Sequence, residues 1–140
     1  MVWQRARKLA VDAYGLTRAF PAFERHGLAA QIQRAAVSVP ANIAESSGQG
    51  CNTDQARLYQ IAIASARELE SHLLRASDLG FISSSEFDRV AVSLIEVQHM
   101  LTALVRSTRR GADFSGITAA SSRPSPVSSS RRSPLDSRPP

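Results

Sequence analysis

Arg34-Ala-Ala-Val-Ser-Val-Pro-Ala-Asn-Ile-Ala-Glu45 decides the fold, because it keeps helical spacing across a residue that helix interiors normally exclude. Leu28, Ile32, Ala35, Ala36, Val39, Ile43 and Ala44 recur at steps of three and four, which lays one apolar stripe against a core. Gln31, Gln33, Arg34 and Ser38 face elsewhere. Pro40 removes a backbone donor and predicts a bend in this helix. Carbonyls freed there need donors, so Pro40, Asn42 and Glu45 form an expected structural motif, a polar cluster beside the proline.

On the amino-terminal side, Trp3, Ala6, Leu9, Ala10, Ala13, Leu16 and Phe20 describe a first helix that Pro21 stops. In the connection that follows, Phe23 is the expected anchor and Gly27 supplies backbone freedom. The second helix runs to about Ser46, and the glycines of the next loop favour turns. Asn52 or Thr53 caps a third helix over about 54–79, with Asp54 in its first turn. Its stripe is Tyr59, Ala62, Ile63, Ala66, Leu69, Leu73 and Ala76. Gly80 ends it, and Ser83 to Glu86 reads as a capping box opening a fourth helix. Phe87, Val90, Leu94, Val97, Leu101 and Val105 form that helix's seam, and Arg106, Arg109 and Arg110 are expected in its last turn before Gly111. Leu58, Ile61, Leu74, Val92 and Ile95 lie off these stripes, more apolar surface than one seam requires.

The expected class is therefore all-α, an antiparallel up-down-up-down four-helix bundle over 1–110. The last 30 residues hold nine Ser, five Pro and four Arg, so 111–140 is expected to be a disordered tail. The chain of 140 residues carries a net charge of +5 with pI ≈ 10.6, a bias toward anionic partners. The single cysteine, Cys51, excludes an internal disulfide, and no apolar run reaches bilayer length. Arg5, Arg7 and Lys8 precede no uninterrupted apolar core, so no secretory signal is expected and the chain is placed in a bacterial-type cytoplasm.

Glu96-Val-Gln-His99 has the Glu-x-x-His step of di-iron bundles, and Glu68, Glu70 and His72 offer a partial second set. Leu94, Val97 and Leu101 already claim the inward face, so Glu96 and His99 are expected outside, with no metal and no cofactor. His26, His72 and His99 form no arrangement with a nucleophile, and Cys51 reads as incidental. The remaining chemistry is arginine, since the chain has one lysine and guanidinium suits phosphate. The candidate nucleic-acid-binding residues are Arg7, Arg18, Arg34, Arg57, Arg75, Arg106, Arg109 and Arg110, with Arg67 in the same exposed set. Arg57 and Arg75 stand about five turns apart, on one face of the third helix.

The run "RAAVSVPANIAE", preceded by "ERHGLAAQIQ" and followed by "IAIASARELESHL", resembles the four helix bundle proteins encoded within intervening sequences of bacterial 23S ribosomal RNA genes. The likeness covers residues 3–109. It implies assembly as a homopentamer, and kinship with the accessory variability determinant of diversity-generating retroelements, which associates with a reverse transcriptase and with nucleic acid. No catalytic residue carries over, and Arg34, Asn42 and Glu45 transfer as structural or interfacial positions. Ser46 and Ala64 stand where the family usually has glycine, the latter with an expected effect on a tight helix crossing. The expectation is a noncatalytic, oligomeric bundle that binds RNA or DNA through basic surfaces, as an accessory to a reverse transcriptase or another nucleic-acid enzyme. The alternative is a protein-interaction or scaffolding module that binds no nucleic acid.

Overall fold

In a computed structural model, which describes the backbone of residues 1–121 and the side chains of 1–113, the chain folds into α1 (Val2–Thr17), a 3-10 turn (Ala22–Glu24), α2 (Leu28–Ser46), α3 (Asn52–Asp78) and α4 (Ser84–Ser121). Each helix packs on its neighbours in sequence and α1 closes the ring against α4, while among the described residues the backbones of the diagonal pairs stay more than 8 Å apart, Cα to Cα. This is the antiparallel bundle that short connections favour. Leu9, Ile32, Leu69, Leu73, Leu94 and Leu101 fill its centre beside Ala6, Ala13, Ala62, Ala66 and Ala76. Small residues between the leucines let the helices approach closely.

Local chemistry sets most helix ends. Gly80, at φ +79°, ends α3; its N–H donates to the Ser77 carbonyl and that of Phe81 to the Ala76 carbonyl, a Schellman arrangement. Ser83 Oγ accepts from the Glu86 N–H at 3.2 Å while Glu86 Oε2 accepts from the Ser83 N–H at 3.2 Å, the reciprocal capping box expected there. We expect Ser83→Ala to cost about 1 kcal/mol, read as a lower urea midpoint; an unchanged midpoint would show that the box does not hold the start of α4.

Elsewhere the structure corrects the sequence expectation. α1 ends at Thr17, not Phe20: the Thr17 hydroxyl donates to the Tyr14 carbonyl at 2.7 Å, and Phe20 turns back to meet Phe81, ring centroids 5.4 Å apart. Phe20 packs against the core, whereas Phe23, 78% exposed, reaches only the Phe81 ring edge-on, centroids 6.4 Å apart. A Cβ at Gly27 would lie 2.7 Å from Glu24 Oε2, the end of a flexible side chain that accepts from the Leu28 N–H at the start of α2 and would have to shift. Cys51 rather than Asn52 or Thr53 caps α3, its Sγ accepting from the Asp54 N–H. Trp3 and Ala44 lie outside the core, and Leu58 lies inside, 2% exposed.

The fourth helix passes through Gly111. The isolated glycine weakens a helix by only about 1 kcal/mol, and here Asn52 packs against it, 3.0 Å from where a Cβ would sit. Arg106, Arg109 and Arg110 are therefore interior to α4 instead of in its last turn, and the boundary expected at 110 falls inside a helix. The disorder expected over 111–140 does not begin at Gly111; its remainder, 122–140, lies outside the described residues.

Helix α2 continues through Pro40 without interruption. Asn42 Nδ2 donates to the Ser38 carbonyl at 2.8 Å and meets Ser38 Oγ at 3.1 Å, and Ser38 Oγ pairs with Ser65 Oγ of α3 at 2.8 Å. The polar cluster beside the proline thus links α2 to α3. Glu45 takes no part in it and is exposed. Ser46, fully buried, donates to the Ile43 carbonyl at 2.6 Å.

Candidate nucleic-acid interface

The register between α3 and α4 follows from Gln98 Nε2, which donates to Glu70 Oε2 at 3.2 Å. From that pair toward the start of α3, exposed α3 positions recur as Arg67, Ala64, Gln60 and Arg57, steps of three and four that keep them on one side. The antiparallel α4 offers Thr102, Arg106 and Arg109 opposite them. Two adjoining grooves result, of about 360 and 390 Å³, sharing Gln60 and Arg109. Arg67 and Arg106 border the first; Arg57 and Asp113 border the second.

Among the described residues none of Arg57, Arg67, Arg106 and Arg109 forms an ion pair; the pairs found there are Arg5 with Glu96, Lys8 with Asp12, and His72 with Glu68. Among the described residues, four cations from two helices line the two adjoining grooves with a single carboxylate, Asp113, at their end. Such an arrangement raises the local positive potential and suits a row of phosphates, each able to take two guanidinium hydrogen bonds. Ala64 lines the first groove and is exposed, so it occupies no tight crossing within the bundle.

The other candidates lie apart. Arg7 sits over the Trp3 ring, 5.7 Å from its centroid, on the outer side of α1. Arg18 follows α1 near Arg25. Arg34 is exposed on α2, and Arg110 is exposed beside Arg109 outside the groove lining. Arg75 shares the α3 side of Arg57 but stands about 27 Å away along the axis, in the last turn. The structure therefore joins Arg57, Arg106 and Arg109 with Arg67, and separates Arg7, Arg18, Arg34 and Arg75. Gln60 and Thr102 were not singled out in the sequence; their signal was helical spacing from Arg57 and Arg106.

The carboxylates of the Glu-x-x-His motif and of its partial second set are otherwise engaged. Glu96 pairs with Arg5, Glu70 with Gln98, and Glu68 with His72 at 3.3 Å. Among the described residues no three His, Cys, Asp or Glu side chains gather to hold a metal ion. No described helix is long and apolar enough to cross a membrane.

These features define an all-α bundle with a cationic groove between its third and fourth helices. The chain belongs to the 23S rRNA-intervening sequence protein family, whose model it matches over residues 1–103. A crystal structure of a protein of unknown function from the S23 ribosomal protein family of Bacteroides thetaiotaomicron shares the fold, with a TM-score of 0.67 at 21% identity, covering 75% of this chain and 98% of that one. No curated protein is significantly similar. The family match stops before Arg106 and Arg109, so the α4 wall of the groove is described by this chain's own structure.

Proposed function

We propose that this protein is a noncatalytic, oligomeric bundle of the bacterial cytoplasm that binds RNA or DNA along the α3–α4 groove, as an accessory to a nucleic-acid enzyme such as a reverse transcriptase. The observation that carries this reading is the set of four arginines, from two helices, without acidic partners among the described residues. Among the described residues the groove lining contains no aromatic ring for base stacking, which favours contact with the sugar-phosphate backbone over sequence readout. Ile61, Leu74, Val92 and Ile95, from 38% to 69% exposed, supply apolar surface for assembly. A homopentamer, as the family resemblance implies, would repeat the groove around a ring and raise avidity without new contacts.

Salt tests the proposal. With about four phosphates neutralised per groove, the logarithm of affinity should fall with the logarithm of salt at a slope of roughly −3 to −4. Filter binding or fluorescence anisotropy with short RNA and DNA duplexes measures it. Binding that ignores salt, or none at low salt, would defeat the proposal.

A second reading has its own observation. Trp3, Arg7, Val11 and Tyr14 along α1, and Arg18 just past its end, are all exposed at steps of three and four, and Trp, Tyr and Arg are the usual anchors of protein interfaces. A scaffolding module would use this stripe, and its complexes would survive salt that releases nucleic acid.

A further inference from the structure

The early end of α1 leaves a separate cavity, of about 390 Å³, at the corner between α1, the 3-10 turn and α2. It lies at the end of the bundle marked by the Phe20–Phe81 contact, whereas the arginine groove flanks the first half of α3. Thr17, 7% exposed, donates to the Tyr14 carbonyl and accepts from Gln33 Nε2 at 3.0 Å. That relay ties α2 to the last turn of α1 and fixes the Gln33 amide in the wall. The Gln33 side-chain oxygen, Oε1, has no hydrogen-bond partner among the described residues. Phe20 supplies an apolar side, and Tyr14, 42% exposed, also lines the cavity. Arg18 and Arg25 border the cavity, both exposed and neither in an ion pair among the described residues.

The parts match one ligand chemistry. An aromatic ring offers a face to a planar base, an amide oxygen accepts from an exocyclic amine, and two guanidinium groups hold a phosphate. The volume lies within the usual range for small-ligand sites, about 300–1,000 Å³. We propose that this corner binds a 5′-nucleotide unit, with the base against Tyr14 and Gln33 and the phosphate between Arg18 and Arg25. The unit is either a free mononucleotide or the phosphorylated end of a strand. The site is separate from the α3–α4 groove and does not depend on the function proposed for it.

Amide NMR spectra of the full chain, titrated with adenosine monophosphate, adenosine and inorganic phosphate, test the site. Adenosine monophosphate should shift the amides of Tyr14, Thr17, Arg18 and Gln33 and bind more tightly than either fragment. The double variant Arg18→Ala, Arg25→Ala should weaken it by roughly tenfold or more, as should Tyr14→Ala, with helicity intact because these side chains are exposed. Displacement by a 5′-phosphorylated oligonucleotide, and not by its 5′-hydroxyl counterpart, would identify a strand end; bound nucleotide that neither oligonucleotide displaces would identify a free ligand. Either result supports the site. No shifts at this corner with millimolar nucleotide, equal binding of phosphate alone, or indifference to both sets of substitutions would overturn it. Groove variants at Arg57 and Arg106 should leave nucleotide binding unchanged, which separates this test from that of the groove.

Discussion

The double reversal Arg57→Glu, Arg106→Glu should lower nucleic-acid affinity on the order of 100-fold at low salt and shrink the salt slope by about 2. Each substitution takes away one proposed phosphate contact and adds a repelling carboxylate, Arg106 on the α4 side of the first groove and Arg57 on the α3 side of the adjoining one. Both side chains are exposed and lack ion pairs among the described residues, so the bundle loses no internal contact and its circular dichroism should not change. The pair also lowers the formal charge of the chain from +5 to +1, two units per reversal. Arg7→Glu with Arg34→Glu makes the same change in charge away from the groove and serves as the control. If both double variants lose affinity equally, general attraction explains binding and the groove has no special role. If neither loses affinity, the arginines of α3 and α4 are not the binding surface.

The groove was only partly legible in the sequence because it depends on two levels of order. Helical spacing places Arg57 and Arg67 on one side of α3, and composition marks arginine as the phosphate-binding type. Which α4 arginines stand opposite is a matter of register, and the Gln98–Glu70 hydrogen bond that reports it joins residues 28 apart. Arg75 shows the limit of single-helix reasoning: it shares a side with Arg57, yet the distance along α3 removes it from the groove. Arg7, equally exposed and equally charged, is over a tryptophan on another helix.

The fold itself was more legible, wherever local chemistry and tertiary packing agree. Gly80 and the Ser83–Glu86 box act through backbone groups within a few residues, so their spacing carries the whole signal. The end of α1 departs from the pattern because Phe20 serves a contact with Phe81 that lies 61 residues away. Gly111 fails as a stop because its missing side chain gives room to Asn52, a packing reason for glycine that looks identical in sequence to a terminating one. Leu58 is off the main stripe yet buried, since a helix flanked by neighbours on two sides covers more than one seam.

Leu69→Ala should lower stability by about 2–5 kcal/mol, and toward the upper part of that range. The side chain is fully buried in α3, which packs on both α2 and α4. Ala62, Ala66 and Ala76 on the same helix are also fully buried and have no length to swing into the space left behind. A cavity that cannot collapse keeps its full penalty, because the lining atoms lose their contacts outright. Leu74→Ala on the same helix is the informative comparison. Leu74 is 50% exposed, and its truncation in a solvated monomer should change stability by no more than about 0.5 kcal/mol. In the proposed oligomer Leu74 would be covered, so the cost would rise and depend on protein concentration, as for any contact made only on association. Urea unfolding at two concentrations distinguishes these outcomes: a concentration-dependent midpoint in which Leu74→Ala shifts the more associated state supports assembly through this face. An unchanged midpoint for Leu69→Ala would show instead that the core does not enclose α3 at this level.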